Sequence, residues 1–307
     1  MSRCVSLLCP IVAMGLLCAP APGAADATRD QLGPREIALG DSMRGDSRGA
    51  LSITLNPSGL PGNAELVFEG SYGYRDADGA SAITMSGCDS TGRLPGCFYY
   101  RYFGASPELG GVSLSRRGHD GGVALALPIG PRLYVGTNLK YFDYNSAVPG
   151  EGDTSGFTMD LGATLVLMPR LRVGVVGNHL FWAQSPQYPR ALGVGVAVAV
   201  LDFLNVSADA LWHLSRPDGE STGRYGGGVE FFLRSANGQS GYPLRVGAVH
   251  DVQLDGTYLS GGAGFMTGKV AVDVAVRQQI AGGGETLVLG SLRYYGPRRI
   301  PGTQMYR

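Results

Sequence analysis

From Arg190 to Val200 the chain reads RALGVGVAVAV, and this stretch constrains the fold more than any other. Leu192, Val194, Val196, Val198 and Val200 share one face, while Gly193, Gly195, Ala197 and Ala199 share the other. A helix would mix the two sets, whereas a period of two separates them, so the stretch is a strand. One face is uniformly branched and apolar, and the other is uniformly small. Such a strand needs an apolar surrounding on its outer side and a crowded space on its inner side.

The same period runs along most of the chain. Leu66, Phe68, Gly70, Tyr72 and Tyr74 oppose Glu65, Val67, Glu69 and Ser71, and further strands are expected at 98–103, 112–117 and 123–127. Leu133 to Tyr141 and Phe157 to Leu165 follow, then Leu171 to Val175 and Val206 to Trp212. Tyr225 to Leu233, Leu244 to Ala248, Leu259 to Phe265, Lys269 to Arg277 and Thr286 to Tyr295 complete the series. In Lys269–Arg277 the valines at 270, 272, 274 and 276 face outward, and Asp273 and Arg277 face inward. The connections alternate between short turns (128–131, 168–170, 201–203, 266–269) and mostly longer polar loops (145–156, 183–189, 215–222, 252–256, 281–285). Short turns at one rim and longer loops at the other are the build of outer-membrane barrels. Tyr74, Tyr141, Phe157, Phe181, Trp182, Trp212 and Tyr225 fall at the long-loop ends, and Phe203, Phe265 and Tyr294 at the other. Two aromatic girdles mark the two interfaces of a lipid-embedded barrel. The fold class read here is all-β: a transmembrane antiparallel up-and-down barrel of about 14 strands.

One stretch does not alternate. Ala38 to Gly59, ALGDSMRGDSRGALSITLNPSG, is rich in small residues and carries Asp41, Arg44, Asp46 and Arg48. It closes on Asn56-Pro57-Ser58-Gly59, where an Asn before a Pro is biased out of the helical region and Ser-Gly completes a turn. The inward faces of the strands offer room at their Gly and Ala positions. They also carry Glu65, Glu69, Lys140, Asp160, Asp209, Glu230, Arg245, Asp273 and Arg277, which need partners or water when enclosed. A compact charged segment ahead of the first strand meets both needs as an internal plug, with Asn56 fixing its turn through side-chain bonds to nearby backbone.

This combination resembles the long-chain fatty-acid transporter superfamily of outer-membrane barrels. There a small-residue hatch ending in an Asn-Pro-Ala-Gly-like turn precedes the first strand; here Ser58 stands in place of the usual Ala. The resemblance implies a closed barrel of 14 strands carrying hydrophobic molecules inward across the outer membrane, or a relative that resembles a shuttle component of a secretion system. The chain departs from the transporters in its modest long-side loops and in its Pro-containing basic end from Gly296 to Arg307.

Domain organisation follows. Residues 1–27 read as a signal peptide: Arg3 precedes an apolar run from Val5 to Leu17, and Ala25-Asp26-Ala27 offers a cleavage site, with Gly23-Ala24-Ala25 as a rival. Cys18 lacks the small residue before it that lipoprotein cleavage wants. Residues 28–63 form the plug, 64–296 the barrel and 297–307 a periplasmic tail. Cys4, Cys9 and Cys18 leave with the signal, so Cys88 and Cys97 are expected to pair as a staple on a loop at the outer side.

Among function classes, nucleic-acid binding needs a basic face, and the 25 Lys and Arg are matched by 25 Asp and Glu. No cofactor fingerprint or metal-ligand cluster stands out, since the Gly-x-Gly strings lie within strands without a following helix. His213-Leu214-Ser215 resembles the His-x-Ser pair of outer-membrane phospholipases, but alternation points both residues inward, away from lipid, so no enzyme is expected. The expected function is binding or passage of small hydrophobic molecules through a plugged lumen. A secretion-associated or structural barrel is the alternative and a hydrolase the third. The expected partners are outer-membrane lipid, a hydrophobic small-molecule ligand, and a secretion or envelope protein. The expected location is the outer membrane of a Gram-negative bacterium.

Overall fold

The computed structural model describes residues 31–181, 187–214, 222–235 and 240–296. The expected signal peptide and tail, together with Trp182 and Ser215, lie outside the described residues. A short helix α1 (Pro34–Ala38) comes first, followed by two 3₁₀ turns, Gly49–Ile53 and Pro57–Gly62. The strands then run β1 (Leu66–Arg75), β2 (Ala80–Asp89), β3 (Gly96–Ala105), β4 (Glu108–Leu109), β5 (Val112–Ser113) and β6 (Arg116–Ile129). They continue as β7 (Leu133–Ser146), β8 (Thr154–Met168), β9 (Leu171–Asn178), β10 (Ala191–Leu201) and β11 (Leu204–His213). The last are β12 (Thr222–Arg234), β13 (Ser240–Asp251), β14 (Gly256–Thr267), β15 (Val270–Ala281) and β16 (Thr286–Tyr295).

Fourteen of these strands pair antiparallel with their neighbours, and β1 closes on β16 from Val67↔Tyr295 to Arg75↔Leu287. Closure leaves no ladder edge unpaired, which is what allows a sheet to stand in lipid. The pair β4–β5 forms a separate small hairpin in the connection between β3 and β6. The outward faces are apolar: Val270, Val272, Val274 and Val276 are all exposed, as are Tyr74, Tyr141, Phe157 and Tyr225 at one rim and Phe203, Phe265 and Tyr294 at the other. A continuous apolar exterior of this kind has no favourable place in water.

The strand count matches the sequence reading, but two errors cancel in it. The expected strands at 112–117 and 123–127 are parts of β5 and of one continuous β6, and β2 was not expected at all. In β6 the cluster Gly118-His119-Asp120-Gly121-Gly122 reads as a turn, yet all of it is strand, paired to both β3 and β7. Asp120 is buried on the inner face, where Arg101 meets it. In β2 only Ile83 and Met85 are large exposed residues, and Ser, Thr, Ala and Gly mute the alternation elsewhere.

Missing β2 also inverted the position of the cysteines. Cys88 and Cys97 face each other across the β2–β3 turn, bonded, with Cα atoms 4.0 Å apart. That turn lies at the short-turn rim, which both barrel ends share, and not at the long-loop rim. Both cysteines point inward and pack with Ile53, Leu60, Val67 and Tyr99.

Candidate functional site

Residues 31–63 run through the lumen. Helix α1 packs on β13, β14, β15 and β16, the Gly49–Ile53 turn on β1, β2 and β3, and the Pro57–Gly62 turn on β6, β7 and β8. A segment that touches opposite walls of a closed barrel lies inside it. Its close fit explains the glycine rows: a Cβ on Gly228 would sit 2.6 Å from Leu39 Cα, and one on Gly262 2.7 Å from the Ala38 Cβ. Gly40 (φ +66°) and Asp41 (φ +59°) turn the chain sharply after α1. Met43, a non-glycine at φ +106°, is held in a sparsely populated conformation.

Charge joins the segment to the wall. Arg35 grips Glu230 with two bonds, Nε to Oε2 at 2.9 Å and Nη2 to Oε1 at 2.8 Å. Glu230 also accepts from Arg245 Nε at 2.7 Å, and Arg245 reaches Asp273 at 2.5 Å. Asp273 in turn meets Arg293 at 3.1 Å, and Arg293 meets Glu69 at 3.1 Å. Cations and carboxylates alternate along this ladder, so no buried charge stands alone. Further along, Asp209 Oδ2 accepts from the Arg44 backbone N–H at 2.8 Å and from its guanidinium at 3.0 Å. Asp41 contacts Arg224 and lies 3.8 Å from Arg277; Asp46 pairs with Arg172 and, at 2.7 Å, with Arg48.

Asn56 caps the second 3₁₀ turn. Its Oδ1 accepts from the Ser58 backbone N–H and hydroxyl, while its Nδ2 donates to Arg44 O at 3.0 Å and Thr164 Oγ1 at 3.2 Å. Pro57 and Gly59 are buried beside it. Lys140 pairs with Asp160 at 2.8 Å, Arg277 with Glu285 at 3.1 Å, and the Glu65 carboxylate lies under Gly49. Glu36 is buried in α1, and burial pushes its carboxyl up to about 7, with nearby Glu69 adding to the rise.

Above the segment, on the long-loop side, a cavity of about 70 Å³ remains. Leu32, Asp41, Arg44, Ile53 and Thr54 form its floor, and Arg101, Lys140, Leu211, His213 and Arg224 belong to its walls. Asn178, His179, Pro189 and Ala191 border it where β9 gives way to β10. There the chain folds inward: Gln187 and Tyr188 are fully buried, Tyr188 stacks on Phe142 at 4.2 Å, and His179 Nδ1 donates to Pro189 O at 2.8 Å. Charged groups therefore line much of this cavity.

Several participants escaped the sequence reading. Arg101, Arg172, Arg224 and Arg293 sit on inward faces, where the same alternation that singled out Lys140 and Arg277 places them. Arg35 and Glu36 lie just before the stretch taken as the plug's charged part. The inward fold at 187–190 left no signal beyond a polar loop. His213 lines the lumenal cavity, on the side away from lipid. Among the described residues no cluster of His, Cys, Asp and Glu is arranged to hold a metal ion.

No protein-family model and no curated protein sequence matches the chain. Solved structures do resemble its fold. The CymD monoaromatic hydrocarbon channel is 15% identical with a TM-score of 0.58, over 86% of this chain and 97% of that one. The Pseudomonas putida toluene transporter TodX is 11% identical with a TM-score of 0.61, over 86% and 97%. A Pseudomonas aeruginosa FadL homologue is 10% identical with a TM-score of 0.61, over 86% and 98%. At such identities the likeness is one of fold.

Proposed function

We propose that the chain is a Gram-negative outer-membrane barrel that binds or passes small molecules through a lumen controlled by its N-terminal plug. The observation that carries this reading is the course of residues 31–63. They lie across the lumen on walls whose glycines make room for their backbone, joined to those walls by ion pairs and hydrogen bonds. A segment kept only for rigidity would need neither this many charges nor a cavity at its upper face. Hydrophobic molecules are the expected cargo, supported by the names of two fold neighbours, a monoaromatic hydrocarbon channel and a toluene transporter.

Deleting residues 36–56 tests the reading. The shortened barrel is expected to keep its fold and to show a much larger single-channel conductance in a planar bilayer. Equal conductance for the full and shortened barrels would overturn it. One observation favours the second reading, a non-transporting barrel that serves a secretion or envelope partner: the cavity above the plug measures only about 70 Å³. Co-purification of a defined envelope protein, together with unchanged conductance on plug deletion, would select that alternative.

A further inference from the structure

The short turns carry a pattern of charge that the lumen does not explain. Taken round the closed sheet, the β2–β3 turn holds Arg93, β6–β7 holds Arg132, β8–β9 holds Arg170 and β14–β15 holds Lys269, while Arg234 ends β12 where its turn begins. All of them are exposed. The remaining turn, β10–β11, holds Asp202, which accepts from Arg170 at 2.8 Å. Asp89, at the end of β2, accepts from Thr91. Arg93, Arg132, Arg234 and Lys269 make no ion pair among the described residues. The long-loop connections differ, for Asp76, Glu108, Asp153 and Asp255 stand exposed there.

Each free cation also adjoins exposed apolar surface. Leu94 beside Arg93, Leu233 beside Arg234 and Val270 beside Lys269 are exposed, and Ile129 leads into the turn that holds Arg132. A cation one step beyond a lipid-facing band stands at headgroup depth, with its methylene stem along the band and its charge in the interface. The placing is circumferential as well. Charge recurs at the turns all round the barrel, so the ring meets lipid on every side. A protein partner would dock on one sector and would need the charges gathered there. Among lipids, a zwitterionic headgroup brings its own ammonium with each phosphate and leaves the ring unbalanced. A net-negative headgroup balances it.

We infer that the short rim is a collar for net-anionic phospholipid headgroups of the periplasmic leaflet, with Arg93, Arg132, Arg234 and Lys269 each holding the phosphate of one lipid. The collar rests on the reading of the chain as an outer-membrane barrel whose short turns face the periplasm. Attraction of this kind favours an anionic lipid on the order of fivefold beside each basic side chain. It weakens as salt rises, because the groups are exposed. Such contacts fix the depth and tilt at which the barrel sits.

The test refolds the full chain into phosphatidylcholine vesicles that hold a trace of spin-labelled phosphatidylglycerol or of spin-labelled phosphatidylcholine. Electron spin resonance then reads the share of each label held at the protein surface. Preferential retention of phosphatidylglycerol, fading as salt rises, is expected. The variant with Arg93→Gln, Arg132→Gln, Arg234→Gln and Lys269→Gln is expected to lose that preference, and heat-dependent gel mobility reports its folding. Should it not fold, the pairs Arg93→Gln with Arg132→Gln and Arg234→Gln with Lys269→Gln are each expected to remove about half of the preference. Equal retention of both labels by the unaltered chain overturns the inference, as does a preference that survives intact in the folded variants. Capture of an acidic envelope protein that the variant loses, with no lipid preference in the unaltered chain, assigns the ring to a protein and likewise overturns it. A chain that fails to enter the vesicles overturns the barrel reading and the collar with it, whereas insertion without preference overturns the collar alone.

Discussion

Asp209→Ala is the most direct way to ask what holds the plug. Asp209 stands on β11 and binds Arg44 twice, through the backbone N–H at 2.8 Å and the guanidinium at 3.0 Å. Both side chains are buried, at 9% and 2% exposure. Removing one partner of a buried pair costs about 3–5 kcal/mol, because the other charge stays behind unpaired. The lower end applies here, since Arg44 keeps the Asp41 carbonyl at 3.2 Å and borders a cavity that water can enter. The loss falls on the docked plug and not on the barrel ladder, whose β10–β11 and β11–β12 pairings do not involve that carboxylate. About 3 kcal/mol shifts the docked population by on the order of a hundredfold. Planar-bilayer recording should show open events rising by that factor, with Asp209→Asn, which keeps an acceptor, falling between. Arg44→Ala and the double variant complete a cycle that isolates the pair from its surroundings. If both Asp209 variants keep the thermal stability and the open probability of the unaltered chain, this pair does not fasten the plug.

Glu36, with its carboxyl raised to about 7, supplies a pH test. A raised carboxyl favours the folded state below about pH 4.5 and loses that advantage as pH climbs through 7, a change of roughly 3 kcal/mol for a shift of this size. Plug docking and thermal stability should therefore weaken from pH 5 to pH 8, and Glu36→Gln should flatten the slope; a slope unchanged in that variant would assign it to another group. For the cysteine pair, closing so short a loop stabilises by about 2–3 kcal/mol in the chain-entropy account. Cys88→Ser with Cys97→Ser should lower the unfolding temperature measurably, and equal unfolding temperatures for the unaltered and double-serine barrels would refute a stabilising role.

What the sequence made legible was whatever alternation controls. Val270 to Val276 and Leu192 to Val200 announce both their faces, so closure, exterior and inward charges followed from period two alone. Alternation fails where side chains are small on both faces, as in β2, and where Gly and Asp imitate a turn, as in β6. Those two failures compensated in the strand count but not in the geometry, which is why the cysteine pair was expected at the wrong rim. The plug's charges were visible at Asp41, Arg44, Asp46 and Arg48, but their partners were not. Which of several inward acids meets Arg44 depends on the register of β11 against β12 and on where the turn at Gly40 aims the chain. The second is set by contacts between residues more than a hundred positions apart, Gly40 against Gly227 and Ala248, which no local pattern encodes.

The distribution of contacts along the plug decides which part of it can move. At one end Ile37 and Ala38 pack with Ala275, Leu287 and Leu289; at the other Ile53 and Leu60 pack with the cysteine pair, Val67 and Tyr99. Ile37, Ile53 and Leu60 are each at least 96% buried, and each such side chain contributes about 1.5–3 kcal/mol. Three of them outweigh any single ion pair of the segment. Apolar burial answers weakly to pH and moderate salt, whereas the bonds of residues 40–48 to Asp209, Arg172 and Arg224 answer to both. The ends are therefore anchors, and the charged middle is the part that a change of conditions can shift. It is also the part that, through Asp41 and Arg44, forms the cavity floor. Release of the middle alone would open less of the lumen than deletion of residues 36–56. The Asp209→Ala openings should accordingly be smaller in conductance than those of the shortened barrel.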